Sequence, residues 1–438
     1  MPSADLLDTG APAPGFREAL RFWLKLGCIS FGGPAGQIAI MQTELVDRRR
    51  WIGQDAFLRG LNFCTLLPGP EAQQLATYIG WRLHGLKGGL AAGGLFVLPG
   101  ALLLLVLSWV AAAGSRMPAV AAAFAGLKPV VIAIVLHAVW RIGRRALKAW
   151  QAVALAGAAF LALFVLGIDF PWIVAAAGAI GWLSTRNGAS PFLGAPHGGK
   201  AGGAGSGGGP ALGRQPDFAP RLARHLAAYA MLLGLGVALV MWRFGTVPFA
   251  DIATLFTKAA FVTFGGAYAV LPYVAEEAVR GYGWLSPAQM LDGLALAETT
   301  PGPLILVLQY VGFFAGWNAI QGPGQLGGAV AAAALTTWCT FLPSFALVLT
   351  GAPYIERLHE DRRIGAALGA ITAAVVGVIL NLAVFLAGAV LLPGGRPELV
   401  SIAAALVALV TLIRFSPSMH WMVLAGVAFG LARLAAGV

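Results

Sequence analysis

Apolar runs of about twenty residues recur along the chain and constrain its fold more than any other feature. Clear examples are 86–112, 118–140, 150–167, 326–350 and 364–392. A helix needs about 20 consecutive apolar residues to span a membrane. Only 11% of the residues are charged, against about 25% in soluble domains. The sequence therefore predicts an all-α, multi-pass integral membrane protein surrounded by lipid.

The net charge of +11 fits such a protein without a nucleic-acid partner. Lys and Arg accumulate in cytoplasmic loops of membrane proteins, and no basic patch alternates with aromatic residues. The three cysteines, Cys28, Cys64 and Cys339, lack disulfide or metal-ligand spacing. The N-terminus has no basic segment followed by an apolar core, so we expect no cleaved signal peptide.

The chain contains an internal duplication. When 22–70 is placed over 255–303 without a gap, 13 of the 49 aligned residues are identical. The identities include Phe-Gly-Gly at 31–33 and 264–266, and Pro-Gly-Pro at 68–70 and 301–303. Shared apolar composition does not explain two rare tripeptides in register, so the chain has two homologous halves.

A Gly-rich stretch divides these halves. We predict an N-terminal membrane repeat at 1–184, a cytoplasmic linker at 185–224 and a C-terminal membrane repeat at 225–438. Gly-rich sequence behaves as a flexible coil. The C-terminal repeat begins with an extra connecting helix, 225–243, and the second copy follows it.

The number of apolar runs indicates opposite orientations for the two copies. Four runs follow the first Pro-Gly-Pro, up to 171–184, and 225–242 is the fifth before the second Phe-Gly-Gly. An odd number of crossings inverts the second copy, provided that 171–184 is a span. Inverted repeats are the architecture of many secondary transporters, which bind substrate near the midplane between the repeats.

The basic clusters bear on how the two motifs meet the membrane. If the segments at both motifs dip in and return, the clusters at 48–50, 82–87 and 141–148 all stay on the cytoplasmic side. We therefore favour re-entrant or broken helices at both motifs. The alternative is complete crossing, which gives about thirteen spans.

Pro-Gly-Pro stops a helix, and its second proline suits the first position of a new one. A new helix start exposes free N–H groups and a partial positive charge, which together favour an anion. Pseudo-symmetry directs four such breaks toward one point. The alternative reading is that both motifs are kinks that ease helix packing.

Polar residues beside the motifs complete a candidate substrate site. Lys25 and Lys258 are candidates for charge pairing with an anion, and the alternative is that they extend to the membrane interface. Glu71 and Glu298 are candidates for proton carriage or for hydrogen bonding to a helix end. The full candidate set is Lys25, Ser30, Phe31, Gly32, Gly33, Thr65, Pro68, Gly69, Pro70, Glu71, Gln74, Lys258, Thr263, Phe264, Gly265, Gly266, Glu298, Thr299, Thr300, Pro301, Gly302 and Pro303.

Two long segments carry a resemblance to a known family. "FWLKLGCISFGGPAGQIAIMQTELVDRRRWI" with "LLPGPEAQQLATYIGW" resembles the chromate ion transporter family, and "FTKAAFVTFGGAYAVLPYV" with "LAETTPGPLILVLQYVGF" resembles its C-terminal domain. The resemblance covers roughly 16–140 and 250–390 and implies the long, two-domain form. It implies chromate export from the cytoplasm, chromate resistance and a place in the inner membrane of a bacterium.

Other functions remain as alternatives. Sulfate or another oxyanion is a second candidate substrate, and we leave a homodimer open. No zinc-protease, Cys-x-x-Cys, P-loop or nucleophile-elbow motif occurs. We therefore expect neither an enzyme nor a metal or cofactor, although an integral-membrane enzyme and an anion channel stay as less favoured readings.

Overall fold

The computed structural model describes residues 14–31, 33–187, 190–192, 218–353 and 362–437. This part of the chain contains sixteen α-helices and no strand, which confirms the predicted all-α fold. The N-terminal half comprises α1 (Phe16–Ile29), α2 (Gly33–Gln42), α3 (Gln54–Leu66), α4 (Glu71–Ala113), α5 (Pro118–Ala146), α6 (Trp150–Phe164) and α7 (Phe170–Ser184). Helix α8 (Phe218–Phe244) leads to the C-terminal half, which comprises α9 (Phe249–Val262), α10 (Ala267–Glu276), α11 (Pro287–Thr299), α12 (Val307–Ala319), α13 (Gln325–Gly351), α14 (Arg362–Leu391), α15 (Leu399–Phe415) and α16 (Met419–Ala435).

Helices α1 and α2 form a hairpin that turns at the first Phe-Gly-Gly motif. A π-helical turn after α2 (Thr43–Arg48) returns the chain to the start of α1. There Arg49 Nη1 lies 3.4 Å from Glu18 Oε1, and the guanidinium lies 5.0 Å from the centre of the Phe22 ring. With 14 residues, α1 is about 21 Å long, less than the ~30 Å hydrocarbon core. The hairpin therefore enters and leaves on one side.

Helix α3 and the first part of α4 form a second hairpin, which turns at Pro-Gly-Pro. Gly60 of α3 packs directly against the ring of Tyr78 in α4, and the rings of Phe63 and Tyr78 have centroids 6.3 Å apart. A side chain at Gly60 would collide with that ring, so this glycine permits the close antiparallel approach. The helices are broken at both motifs, as predicted, and their lengths favour re-entry over crossing.

Helix α4 is itself folded back on itself. The backbone leaves helical geometry at His84 and Gly85, where Gly85 has φ 62°. Gly80, before this bend, packs directly against Gly88 and Ala92 after it. The second part of α4, 86–113, is therefore a separate antiparallel helix, and it is long enough to cross the membrane.

The C-terminal half repeats this plan. Gly293 of α11 packs against the ring of Tyr310 in α12, as Gly60 packs against Tyr78. Gly316 of α12 packs against Ala332 of α13, as Gly80 packs against Ala92. Helices α12 and α13 therefore correspond to the two parts of α4.

Contacts of α13 show that the two halves are inverted. Its last turn lies near the bend of α4, where Gly89 packs against Leu349. His225 Nδ1 at the start of α8 lies 3.0 Å from Thr350 Oγ1, while Phe244 at the end of α8 lies beside Gly327 at the start of α13. We call the side of His225 and Thr350 the linker side, and the side of Phe244 and Gly327 the far side. The N-terminal hairpins enter from the linker side and the C-terminal hairpins from the far side.

The sequence-based count of crossings treated 171–184 as a full span. Helices α6 and α7 have only 15 residues each, about 22 Å, so neither has the length of a typical span. Because they form a consecutive pair, their exclusion leaves the parity of the count unchanged. The predicted inversion is therefore present in the structure although α7 is shorter than a typical span.

Each half also packs against the other. Helix α5 lies against α15 and α16, and α14 lies against α6 and α7. Gly126 of α5 meets Gly430 of α16, and Gly377 of α14 meets Ala156 of α6, at distances that leave no room for a Cβ atom. Helices in lipid associate through such small residues, which allow their backbones to approach closely. These contacts, in which helices of each half pack against helices of the other, hold the two halves together.

Five segments are long and apolar enough to cross a membrane, within the described ranges. They are Glu71–Ala113, Pro118–Ala146, Leu222–Phe244, Gly322–Gly351 and Arg362–Leu391. The structure thus supports a multi-pass membrane protein. The predicted domain boundaries remain predictions, since 193–217 of the linker lies outside the described residues, as does 354–361.

Candidate anion site between the helix breaks

The two Pro-Gly-Pro turns contact the Phe-Gly-Gly breaks of the opposite half. The backbone N–H of Gly69 donates to the Thr263 carbonyl at 2.8 Å. In the mirrored contact, the N–H of Gly302 donates to the Ser30 carbonyl, also at 2.8 Å. Four helix breaks from two inverted halves therefore meet at one place in the interior.

Glycine is required at the centre of both Pro-Gly-Pro turns. Gly69 has φ 125° and Gly302 has φ 96°, backbone conformations that residues with a Cβ atom rarely adopt. Gly69 is also closely enclosed, since a Cβ there would collide with the hydroxyl of Ser344 and lie 2.7 Å from Gln74 Nε2. The turn at Gly302 is less crowded, with Leu306 Cδ1 at 3.3 Å from such an atom.

A small cavity lies where the four breaks meet. Its volume is about 10 Å³, roughly the space that one water molecule needs. Both halves line it, with Pro34, Gln37, Pro70, Glu71, Ala72, Gly266, Ala267, Pro303, Leu304 and Ile305. The cavity is small and lies between the two halves.

Four helical segments begin at this cavity. They are α2, whose second residue is Pro34, then α4 at Glu71, α10 at Ala267, and the 3₁₀ turn Leu304–Leu306 that leads into α12. No side chain caps the starts of α4, α10 or the 3₁₀ turn. Uncapped helix starts carry free N–H groups and about half a positive charge each. The centre therefore has a positive field from the backbone alone.

The prolines occupy a slightly different position from the predicted one. Pro70 and Pro303 are the residues immediately before the helical segments, with extended backbones of ψ 101° and ψ 132°. The sequence predicted them at the first helical position. The shift of one residue moves the first N–H of each new segment to Glu71 and Leu304, both of which line the cavity.

Gln37 is a lining residue that the sequence prediction missed. Its side chain is fully buried. Its Nε2 donates to the Gly302 carbonyl at 2.6 Å and to the Ser30 carbonyl at 3.3 Å. Among the described residues, its Oε1 has no hydrogen-bond partner. The available signal was an amide one helical turn after Gly33, in a stretch that is otherwise apolar up to residue 41.

The side chains of Gln74 and Ser344 pack against Gly69 in the first Pro-Gly-Pro turn. Gln74 Nε2 donates to the Pro68 carbonyl at 2.7 Å. Gln74 Oε1, Ser344 Oγ and Ser30 Oγ are buried, and the described part of the chain offers them no hydrogen-bond partner. Ser344 lies in α13, far from either motif along the chain, so nothing in the sequence pointed to it.

The two candidate carboxylates lie in different surroundings. Glu71 lines the cavity as the first residue of α4. Glu298 is not a lining residue, and its carboxylate accepts a hydrogen bond from the Tyr268 hydroxyl. The residue that matches Glu71 in the second repeat is Leu304. The cavity is therefore flanked by one acidic side chain, from the N-terminal half.

The candidate threonine hydroxyls are directed at their own helices. Thr263 Oγ1 donates to Ala259 O at 2.6 Å, and Thr300 Oγ1 donates to Ala297 O at 3.2 Å. Thr65 and Thr299 make similar bonds to carbonyls three or four residues earlier. In this conformation these hydroxyls do not line the cavity, so their predicted role as donors to an anion remains a prediction.

The candidate lysines lie on the outside of the hairpins. Lys25 of α1 and Lys258 of α9 are both exposed, and neither lines the cavity. The charge of Lys258 acts on Glu277, near the far side. Their equivalent positions reflect the duplication, but the structure does not bring them together with the helix breaks.

The remaining candidates form the walls of the two breaks. The Phe31 ring meets His420 of α16 edge-on, with ring centres 4.5 Å apart, and Phe264 packs against the main apolar core. Gly33, Gly265 and Gly266 all have positive φ values, while the Pro301 carbonyl packs against Gly100 of α4. Gly32 lies outside the described residues.

Two inverted halves with broken helices meeting at a central cavity define a membrane protein of the inverted-repeat class, to which many secondary transporters belong. The family model described as "Chromate transporter" matches residues 17–182 and 250–431, one segment in each half. The chain belongs to the chromate transporter family.

Relatives from several bacteria agree with this assignment. A chromate transport protein of Pseudomonas aeruginosa is 34% identical over 86% of this chain and 82% of its own length. A chromate transport protein of Cupriavidus metallidurans is 28% identical over 95% and 93%, respectively. An uncharacterized transporter of Bacillus subtilis is 30% identical over 35% of this chain but 89% of its own length. No solved structure matches the chain.

Proposed function

We propose that this protein is a secondary transporter that exports chromate from the cytoplasm and thereby confers chromate resistance. The observation that carries the proposal is the convergence of four helix starts on one central cavity. The family and the printed names of two relatives, both chromate transport proteins, support chromate as the substrate. Because these relatives are named for transport, we propose transport and not catalysis.

Chromate is a tetrahedral dianion, and the junction offers what such an ion needs. Free N–H groups at helix starts bind anions through hydrogen bonds and through the helix dipole. The Gln37 amide adds a donor that can turn from the Gly302 carbonyl toward an anion. In a low-dielectric interior these interactions are stronger than in water.

At about 10 Å³, the cavity is too small for an anion with four oxygens. We therefore propose that the two halves move apart at the contacts of Gly69 with Thr263 and Gly302 with Ser30. Opening toward one side and then the other gives alternating access around a fixed site, as in other inverted-repeat transporters. In this scheme the Gly69–Thr263 and Gly302–Ser30 hydrogen bonds break and re-form in alternation, and each closes the site toward one side.

The linker side is assigned to the cytoplasm of a bacterium, with the protein in the inner membrane. Basic clusters at 82–87 and 141–148 accompany this side, as the positive-inside rule requires. The interior-negative potential drives a dianion outward by about 4.6 kcal/mol per 100 mV, twice the value for a single charge. The potential alone therefore supplies a driving force for export.

Uptake into inverted membrane vesicles tests this function. An imposed potential, positive in the lumen, is expected to drive chromate into vesicles that contain the protein and not into vesicles that lack it. Excess sulfate, which has the same charge and shape, is included to measure competition. Potential-dependent sulfate uptake without chromate uptake would assign the protein to another oxyanion, and current without saturable uptake would indicate a channel.

A further inference from the structure

An open groove runs between α1 and the second part of α4 on the outer surface of the protein. Its volume is about 610 Å³, and apolar side chains of both helices form its walls, among them Leu20, Leu24, Leu90 and Leu98. Arg21 is the charged residue among those that line it. Leu24, Leu90 and Leu98 are between 45% and 47% exposed, so the described part of the chain leaves much of this apolar wall uncovered.

Both helices of the groove begin at the linker side. The ring of Phe16, at the start of α1, meets the ring of His84 at the bend of α4, with ring centres 5.3 Å apart. Further along α1, Gly27 packs directly against the Leu95 carbonyl of α4. The two helices therefore run parallel. Arg21 lies five residues into α1, so it is about 8 Å from the linker-side end of the groove.

Positive charge gathers at this end of the groove. Arg17 lies one helical turn before Arg21 on the same face of α1, and Lys87 lies one turn before the apolar wall of α4. All three cations are exposed, and within the described ranges none of them forms an ion pair. The one acidic residue in α1 or in the second part of α4 is Glu18, which lies 3.4 Å from Arg49. The groove thus combines an apolar wall with cations that no nearby carboxylate neutralises.

The matching groove of the C-terminal half is filled by a helix. That groove lies between α9 and α13, and α8 packs against both of these helices. The rings of Tyr229 in α8 and Phe261 in α9 have centres 6.2 Å apart, and Trp338 Nε1 of α13 donates to the Leu232 carbonyl of α8 at 3.2 Å. In the described part of the N-terminal half no helix precedes α1, so the groove between α1 and α4 has no such cover.

The charge of the open groove favours a lipid over a second copy of the chain as its occupant. Arg21 aligns with the uncharged Thr254 in the covered groove, so the cation accompanies the open surface. A two-fold contact between copies brings the same face of each copy together, which here would place basic residues against basic residues. An anionic phospholipid instead offers acyl chains to the apolar wall and a phosphate to the cations.

We propose that this groove binds an anionic phospholipid of the linker-side leaflet, with its phosphate held by Arg21 and Lys87 and an acyl chain along the leucines. A guanidinium binds phosphate oxygens through paired hydrogen bonds, and basic pockets between membrane helices bind anionic headgroups. The lipid occupies, in the N-terminal half, the place that α8 occupies in the C-terminal half. This binding does not depend on which anion the protein transports.

Native mass spectrometry of the protein in detergent tests the site, with phosphatidylglycerol and phosphatidylcholine added in equal amounts. Each basic residue near a lipid surface is worth about fivefold in affinity, so two are expected to favour phosphatidylglycerol by about 25-fold. The double variant Arg21→Gln, Lys87→Gln is expected to bind the two lipids equally. Arg414→Gln, which removes an exposed arginine from α15, is the matched control and is expected to keep the wild-type ratio.

Ala91→Phe tests the apolar wall separately. Ala91 lines the groove, so a ring at this position fills it while both cations remain, and the phosphatidylglycerol adduct is expected to be lost. The proposal is overturned if the double variant keeps the wild-type ratio or if the control loses it as well. A wild type that carries no phospholipid, or that carries a second copy of the chain which Ala91→Phe releases, also overturns it. If Ala91→Phe does not fold, the double variant decides, because both of its altered side chains are exposed.

Discussion

The two halves of the central junction have similar backbones and different side chains. Each half contributes a Pro-Gly-Pro turn whose glycine N–H donates 2.8 Å across to the other half. The N-terminal half also places Gln37 and Glu71 in the cavity lining, while the matching residues of the C-terminal half are Val270 and Leu304. The C-terminal half therefore lines the cavity with backbone and apolar groups.

The difference in side chains separates two properties of the junction, namely its backbone geometry and the polar groups that line its cavity. The mirrored backbone creates the meeting of helix starts and the paired contacts between halves. Under the proposed function, the polar side chains on one half are expected to decide how strongly an anion is bound and how its binding depends on pH. The geometry of the junction is common to both copies, and the side chains that differ between the copies are the ones that line the cavity unequally.

Breaking the symmetric backbone is expected to have the largest effect. Gly69→Ala combines a positive φ with a collision against Ser344, and the strain and overpacking together cost about 2–6 kcal/mol. We expect loss of chromate uptake and a lower unfolding temperature. Gly302→Ala, in the less crowded turn, is expected to be milder.

The control for both changes is Gly94→Ala, because a Cβ at Gly94 of α4 meets nothing within 4 Å. The measurement is uptake rate per inserted protein together with thermal unfolding in detergent. Equal tolerance of Gly69→Ala and Gly94→Ala would contradict the requirement for glycine in the turn.

The second-largest effect is expected from Gln37, whose amide has no counterpart in the C-terminal half. Gln37→Leu removes the donor to the Gly302 carbonyl and leaves that buried oxygen unpaired, at a cost of about 1–3 kcal/mol. Chromate affinity and the unfolding temperature are both expected to fall. Gln321→Leu, in an exposed turn, is the matched control, and a Gln37→Leu protein with normal affinity would remove this residue from the site.

Removing the carboxylate of Glu71 is expected to raise chromate affinity, whereas the preceding substitutions lower it. An ionised Glu71 repels a dianion in the cavity, and direct contact between like charges costs several kcal/mol. Glu71→Gln is therefore expected to tighten chromate binding by at least about tenfold at high pH, with a smaller gain at low pH, where the wild-type carboxyl is protonated as well.

Equilibrium binding at two pH values measures this effect. Leu304→Glu, which places a carboxylate at the matching position of the other half, is expected to weaken binding. Weaker binding by Glu71→Gln at every pH would show that the carboxyl group donates to the anion and does not oppose it.

The smallest effect is expected from the lysines. Because Lys25 and Lys258 are exposed and do not line the cavity, alanine at either position is expected to change chromate affinity by less than about twofold, as most surface substitutions do. The same binding assay measures both variants. A large loss of affinity at Lys25 would restore the sequence-based expectation that it pairs with the anion.

The main features of the fold were predictable from the sequence, because they depend on local and repeated signals. Apolar length predicts membrane helices, Pro-Gly-Pro predicts a break, and the gap-free repeat predicts two similar halves. The length of α7 was not predictable in this way, since an apolar run does not show where the helix stops.

Less of the site was predictable, because it depends on contacts between distant residues. The glycines and prolines that break the helices were predictable, because Gly and Pro have distinctive backbone preferences. Gln37 gave only a weak signal, and Ser344 gave none, since its place beside Gly69 arises from the packing of α13 against α4. The lysines were selected for their charge, and only the helix faces in the structure show that they point away from the cavity.

The most direct test is to locate the bound anion. Crystals of the protein with chromate, measured at the chromium absorption edge, give an anomalous peak at the metal. The expected peak lies between the starts of α4 and α10, within reach of the N–H groups of Glu71 and Ala267. A peak at Lys25, at Lys258 or on the protein surface, with the junction empty, would contradict the central claim.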